Sequence, residues 1–117
     1  MIDVFDRRTV LQHELERIKQ VLLKEYHPER IILFGSLAAE SRTERDWVHE
    51  WSDIDLAIVK TTNARFRDRI GEVLRIVRPR VGFNVVVYTP EEFERAAREG
   101  GFFVRDEILE RGIQLYP

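Results

Sequence analysis

Two carboxylates and a Gly-Ser step carry the chemistry this sequence offers. Ser52-Asp53-Ile54-Asp55-Leu56-Ala57-Ile58-Val59 reads as a strand. Alternation along it puts Asp53 and Asp55 on one face, about 6.6 Å apart, with Ile54, Leu56 and Ile58 on the other. Carboxylates that close raise each other's proton affinity, so a cation between them is the readiest way to keep both ionised. Hard ions such as Mg2+ take one or two carboxylates and complete their shell with substrate phosphates. Upstream, the apolar run Ile31-Ile32-Leu33-Phe34 closes on Gly35-Ser36. Gly35 permits close backbone approach, and the Ser36 hydroxyl and N–H can donate to a phosphate oxygen; a helix starting there would add the favourable end of its dipole. A plainer reading stands beside this one, in which the Asp pair is the wet face of an edge strand and Gly35-Ser36 is only a turn.

The elements that must position these residues follow from periodicity. Leu11, Leu15, Ile18 and Leu22 form one stripe of a helix over 7–26, with Asp6 as N-cap and Pro28 just past its end. A strand over 30–34 follows, then a polar, irregular stretch over 37–51, then the acidic strand over 52–59. A second helix over 64–78 carries the stripe Phe66, Ile70, Val73, Leu74 and Val77 and stops at Pro79. A β-branched strand covers 81–88. Thr89, Pro90 and Glu92 then make a capping box with Pro in the first turn of a helix that Gly100-Gly101 breaks. Residues 102–111 read as helix and 113–116 as a short last strand. The hairpin-like link between the first two strands predicts an antiparallel pair, and the helix between the second and third predicts a parallel one. The expectation is one domain over 1–117, α/β (α+β), with a small mixed β-sheet flanked by helices.

Composition excludes several classes. Lys plus Arg is 19 against 21 Asp plus Glu, so the chain has no strongly basic balance with which to grip nucleic acid. Cysteine is absent, which removes disulfides and thiolate metal sites. The apolar run Ile31–Phe34 is far too short to span a bilayer, and Met1–Asp6 lacks the regions of a secretory signal, so a cytoplasmic location and no membrane partner are expected. No Gly-Lys follows Gly35 as a Walker A loop requires, and the Gly and Glu of an EF-hand loop are missing. Phosphatases of the haloacid dehalogenase type and many sugar-nucleotide transferases place their Asp pair after the apolar strand. Here Leu56–Val59 comes after the pair.

Phe34-Gly35-Ser36-x-Ala38, Ser52-Asp53-Ile54-Asp55-Leu56, and an apolar strand ending Tyr88-Thr89-Pro90-Glu91-Glu92-Phe93 together resemble the minimal nucleotidyltransferases of the DNA polymerase beta-like superfamily. The resemblance runs from the first helix to Leu115-Tyr116. It implies a nucleotidyltransferase fold and metal-dependent transfer of a nucleoside monophosphate from a nucleoside triphosphate to a hydroxyl. It implies that Asp53 and Asp55 hold two Mg2+ (or Mn2+) ions, that Gly35 and Ser36 hold the β- and γ-phosphates, and that Asn84 stands where the family has a third catalytic carboxylate. It also implies a partner, often a HEPN-domain protein in a toxin–antitoxin pair, that completes so small a site; self-association is a further option.

Two departures from the family pattern matter. Asn84 offers a metal a carbonyl oxygen but no negative charge and no basic site, so transfer is expected to be impaired while nucleotide binding survives. The interval from Gly35 to Asp53 is 18 positions, longer than the family's, and Ala39-Glu40-Ser41 replaces its usual second Gly. That insertion carries Arg42, Arg45, Trp47, His49 and Trp51, a composition that stacks bases or packs a loop. The rival to an impaired enzyme is a catalytically inactive nucleotide- or partner-binding antitoxin or regulatory subunit. Lesser features are a basic flank on the second helix (Arg65, Arg67, Arg69, Arg75, Arg78 and Arg80), read as a solvated face, and Lys60, within range of a phosphate but better read as a surface lysine. His13, His27 and His49 have no metal-ligand spacing.

Overall fold

The structure, a computed structural model, describes the backbone of residues 4–43 and 52–117 and the side chains of residues 7–39 and 52–117. Helix α1 (Val4–Val21) runs into one wider π-type turn, Leu22–Tyr26, closed by His27 in the left-handed region with its N–H on the Leu22 carbonyl at 3.0 Å. Then come β1 (Arg30–Phe34), α2 (Gly35–Thr43), β2 (Ile54–Val59), α3 (Phe66–Val77), β3 (Phe83–Tyr88), α4 (Pro90–Glu99), the π-wound helix α5 (Phe103–Glu110) and β4 (Ile113–Tyr116).

The strands form one mixed sheet in the order β3-β2-β1-β4. β1 is antiparallel to β2, as expected, and also to β4, and β2 is parallel to β3, as the helix between them predicted. β1 and β2 are the inner strands, and their apolar runs are buried on both faces, which is why they do not alternate polar with apolar. On one face Leu11, Ile18 and Leu22 of the first helix, Leu37 and Ala38 of α2, and Val73 and Val77 of α3 pack on Ile31, Leu33, Ile54, Leu56 and Ile58. On the other, Phe93 of α4 and Val104 and Ile108 of α5 pack on Ile32, Ala57 and Val59. Thr89 caps α4 through the box expected of it: its side chain accepts from the Glu92 N–H at 3.2 Å, and the Glu92 carboxylate accepts from the Thr89 N–H at 2.8 Å.

Three local expectations are corrected. Helix α1 is already running at Val4, so Asp6 lies inside it and is not its N-cap. Residues 37–43 are helical, not irregular, because Leu37 and Ala38 bury against the sheet and pull the polar stretch into a turn-by-turn register. On α3, Phe66 and Leu74 are exposed and the buried line is Arg69, Val73 and Val77. Arg69 therefore belongs to the interior rather than to a solvated basic flank. Its guanidinium is accepted there because Glu92 meets it at 2.6 Å, and Phe66 lies over it at 5.5 Å. Arg45, Trp47, His49, Trp51 and the side chain of Arg42 fall outside the described residues. Among the described residues no helix is long and apolar enough to cross a membrane.

A second buried charge ties α1 to the end of α3. Glu14, 6% exposed, accepts from Arg17 Nε and Nη2, both at 2.7 Å, and from the Arg80 N–H at 2.6 Å. Arg17 in turn donates to the carbonyls of Val77 and Arg78, at 3.1 and 3.2 Å, where the chain turns toward β3. The Arg17 guanidinium holds the Glu14 carboxyl below its ordinary 4.5 against the opposing effect of burial. A lowered folded value stabilises the protein above the unfolded value, and that stabilisation is lost as pH falls below 4.5 through the folded one. Glu14→Gln is expected to cost about 2 kcal/mol at neutral pH and to make the acid limb of a melting-temperature-versus-pH curve shallower than in the natural protein.

Candidate active site

The register of the sheet brings the sequence candidates together. Asp55 pairs with Phe34 of β1 on one side and with Asn84 of β3 on the other, so the three lie in one row across the face that α4 and α5 cover farther along. Asp53 stands just ahead of β2, where the Ile54 N–H continues the ladder by donating to the Gly82 carbonyl at 3.0 Å. Asn84 Nδ2 donates to Asp55 Oδ1 at 2.8 Å and, more weakly, to Asp53 Oδ2 at 3.4 Å. One amide thus joins both carboxylates. In the absence of a cation this is the favourable orientation, since an inward carbonyl oxygen would face two anions.

Each carboxylate lies against a glycine. Gly35 takes φ +77 at the start of α2, and a Cβ there would fall 2.1 Å from Asp55 Oδ2. Left-handed backbone and close approach both require glycine at this position. A Cβ on Gly82 would fall 1.9 Å from Asp53 Oδ1. Ser36 does not face the pair directly; its hydroxyl donates to the Ser52 hydroxyl at 3.3 Å. Ser52 is buried, and its carbonyl accepts from Arg7 Nε and Nη2 at 3.2 and 2.7 Å, so a guanidinium from α1 clamps the backbone immediately before Asp53.

Burial pushes the Asp55 carboxyl above its ordinary 3.8; the Asn84 amide opposes this, and the charges of Asp53 and Glu107 add to the rise. Glu107 reaches this neighbourhood from α5 and is itself paired with Arg111 at 3.8 Å. The α2 helix begins at the same end, directing the positive end of its dipole toward the row that holds Asp55. The carboxylate oxygens of Asp53 and Asp55 are hard donors of the kind Mg2+ or Mn2+ takes, while Asn84 turns its N–H toward them. Among the described residues no group of three or more His, Asp and Glu is placed to hold a metal ion.

Sequence reasoning missed Gly82, Arg7, Ser52 and Glu107. Gly82 had a signal, because a glycine inside a strand pattern marks close backbone approach. Arg7 had none, since it meets Ser52 across 45 positions. Lys60 lies at the far end of β2 from the Asp pair, where it donates to the Tyr26 carbonyl and sits 4.6 Å over that ring, so it is not a residue of this site. A separate groove of about 350 Å3, lined by Val59, Phe93, Ala97 and Leu109 among others, opens at that same far end and shares no residue with the cluster. A scan against protein-family models finds no match for the chain, and a search of curated proteins finds none either.

Proposed function

We propose that this chain is a minimal nucleotidyltransferase domain that binds a nucleoside triphosphate through a divalent cation at Asp53 and Asp55, with a transfer step weakened by Asn84. The observation that carries the reading is the convergence of Asp53, Asp55 and Asn84, with Asp55 lying against Gly35 at the start of α2. A bound Mg2+ or Mn2+ would neutralise charge on the triphosphate. Asp53 and Asp55 would hold it, with the bare backbone at Gly35 and the N-terminus of α2 facing the phosphates. An acceptor hydroxyl oxygen bonds to the α-phosphorus, the bond from that phosphorus to the β-bridging oxygen breaks, and pyrophosphate leaves. The hydroxyl proton passes to solvent, because Asn84 has no basic site.

The second reading is a binding module without transfer, the antitoxin or regulatory half of a pair with a HEPN-domain protein. Its support is the Asn84 amide lying across both carboxylates. Incubation with labelled ATP, Mg2+ or Mn2+ and hydroxyl-bearing acceptors separates the two. Transfer that is lost in Asp53→Ala supports the enzyme; bound nucleotide without transfer supports the module; undiminished transfer by Asp53→Ala overturns the site.

Gly82→Ala gives a finer test. The added methyl meets the end of a short side chain rather than backbone, so the fold survives while the Asp53 carboxylate turns away. Melting within about 1 kcal/mol of the natural protein, with roughly 10–100-fold weaker binding of a Mn2+–ATP-analogue complex, is the expected result.

A further inference from the structure

We infer that the site takes one divalent cation per bound triphosphate, not two, because the Asn84 carboxamide covers the side of the carboxylate pair on which a second ion would be held. This rests on the nucleotide-binding reading above.

The four carboxylate oxygens have distinct surroundings. Asp55 Oδ2 lies against Gly35, at the bend where α2 begins, and so faces the phosphate side. Asp55 Oδ1 and Asp53 Oδ2 are the two oxygens on which Asn84 Nδ2 donates, at 2.8 and 3.4 Å. The β3 side of the pair therefore presents an N–H donor, whose partial charge has the same sign as a metal ion's. Turning the carboxamide over would present a neutral oxygen that balances none of a second ion's charge.

The number of carboxylate ligands leads to the same count. One hard divalent ion is commonly held by one or two carboxylates, the number that Asp53 and Asp55 supply. Glu107 on α5 pairs with Arg111 at 3.8 Å, and among the described residues no group of three or more acids and histidines is placed to hold a metal ion. The two-ion arrangement implied by the family resemblance therefore does not fit these residues.

Equilibrium dialysis against excess Mn2+ and α,β-methylene-ATP tests the inference, with bound Mn2+ read by atomic absorption and bound nucleotide by absorbance. One Mn2+ per bound nucleotide is expected for the natural protein, rising to two in Asn84→Asp. Two per nucleotide in the natural protein overturns the inference and leaves the proposed function standing. A ratio of one in a folded Asn84→Asp variant also overturns it, because the carboxamide would not then be what limits the count. No bound nucleotide overturns both, so the two failures are distinguishable. The natural-protein ratio needs no variant and decides by itself if Asn84→Asp does not fold.

Discussion

Asn84→Asp is expected to raise nucleotidyl transfer by roughly two to four powers of ten, the contribution typical of a positioned proton acceptor or metal ligand. The new carboxylate would stand in register with Asp55 on the neighbouring strand. It would supply both the charge and the basic oxygen that the carboxamide lacks. The same change should weaken the fold when no cation is present. It removes the only hydrogen bonds described between Asn84 and the pair and places a third anion beside Asp55, which burial already disfavours as an anion. A loss of about 2 kcal/mol is expected in chelator. Millimolar Mn2+ should restore most of it, since an ion bound only by the folded state stabilises that state. Labelled-ATP transfer assays and melting curves with and without Mn2+ read the two effects. A variant that gains no transfer while binding nucleotide normally would show that Asn84 does not limit the reaction.

Glu92→Ala is expected to be strongly destabilising, costing about 4 kcal/mol, or roughly 15 °C in melting temperature for a domain of this size. Arg69 is 5% exposed, and its charge is met by Glu92 through Nη1 at 2.6 Å and Nη2 at 3.2 Å. Deleting the carboxylate strands a buried guanidinium. It also opens the capping box, since the same Glu92 side chain accepts the Thr89 N–H. Arg69→Met should cost less, because the Glu92 side chain it leaves behind is 35% exposed and can be solvated. Arg69 also donates to the carbonyls of Ala64 and Val87, at 2.9 and 3.0 Å, so its replacement will not be neutral. A denaturant-melt cycle of the two single variants and the double variant measures the coupling. A double variant as unstable as the sum of the singles would show that the pair does not act as a unit.

The regular parts of the fold were legible because their signals are local. The capping box at Thr89 and Glu92 and the β1 and β2 apolar runs each depend on neighbours within a few positions. The parallel direction of β2 and β3 followed as well, because a helix long enough for a crossover joins them. Helix α2 was missed, since its residues look polar until Leu37 and Ala38 find a surface to bury against. Arg69 was misassigned for a related reason: an arginine reads as surface unless its carboxylate partner is known, and Glu92 is 23 positions away.

By itself the sequence singled out Asp53, Asp55, Gly35 and Ser36 as candidates, and determined on which face of a strand Asp55 would lie, because side-chain alternation is a property of one extended segment. Only the tertiary structure decided what surrounds them. The register of β2 on β3 put an amide between the carboxylates, and the approach of Gly35 and Gly82 set how closely backbone lies against each. Those relations join residues far apart in the chain, and they arise from packing the whole sheet rather than from any local preference.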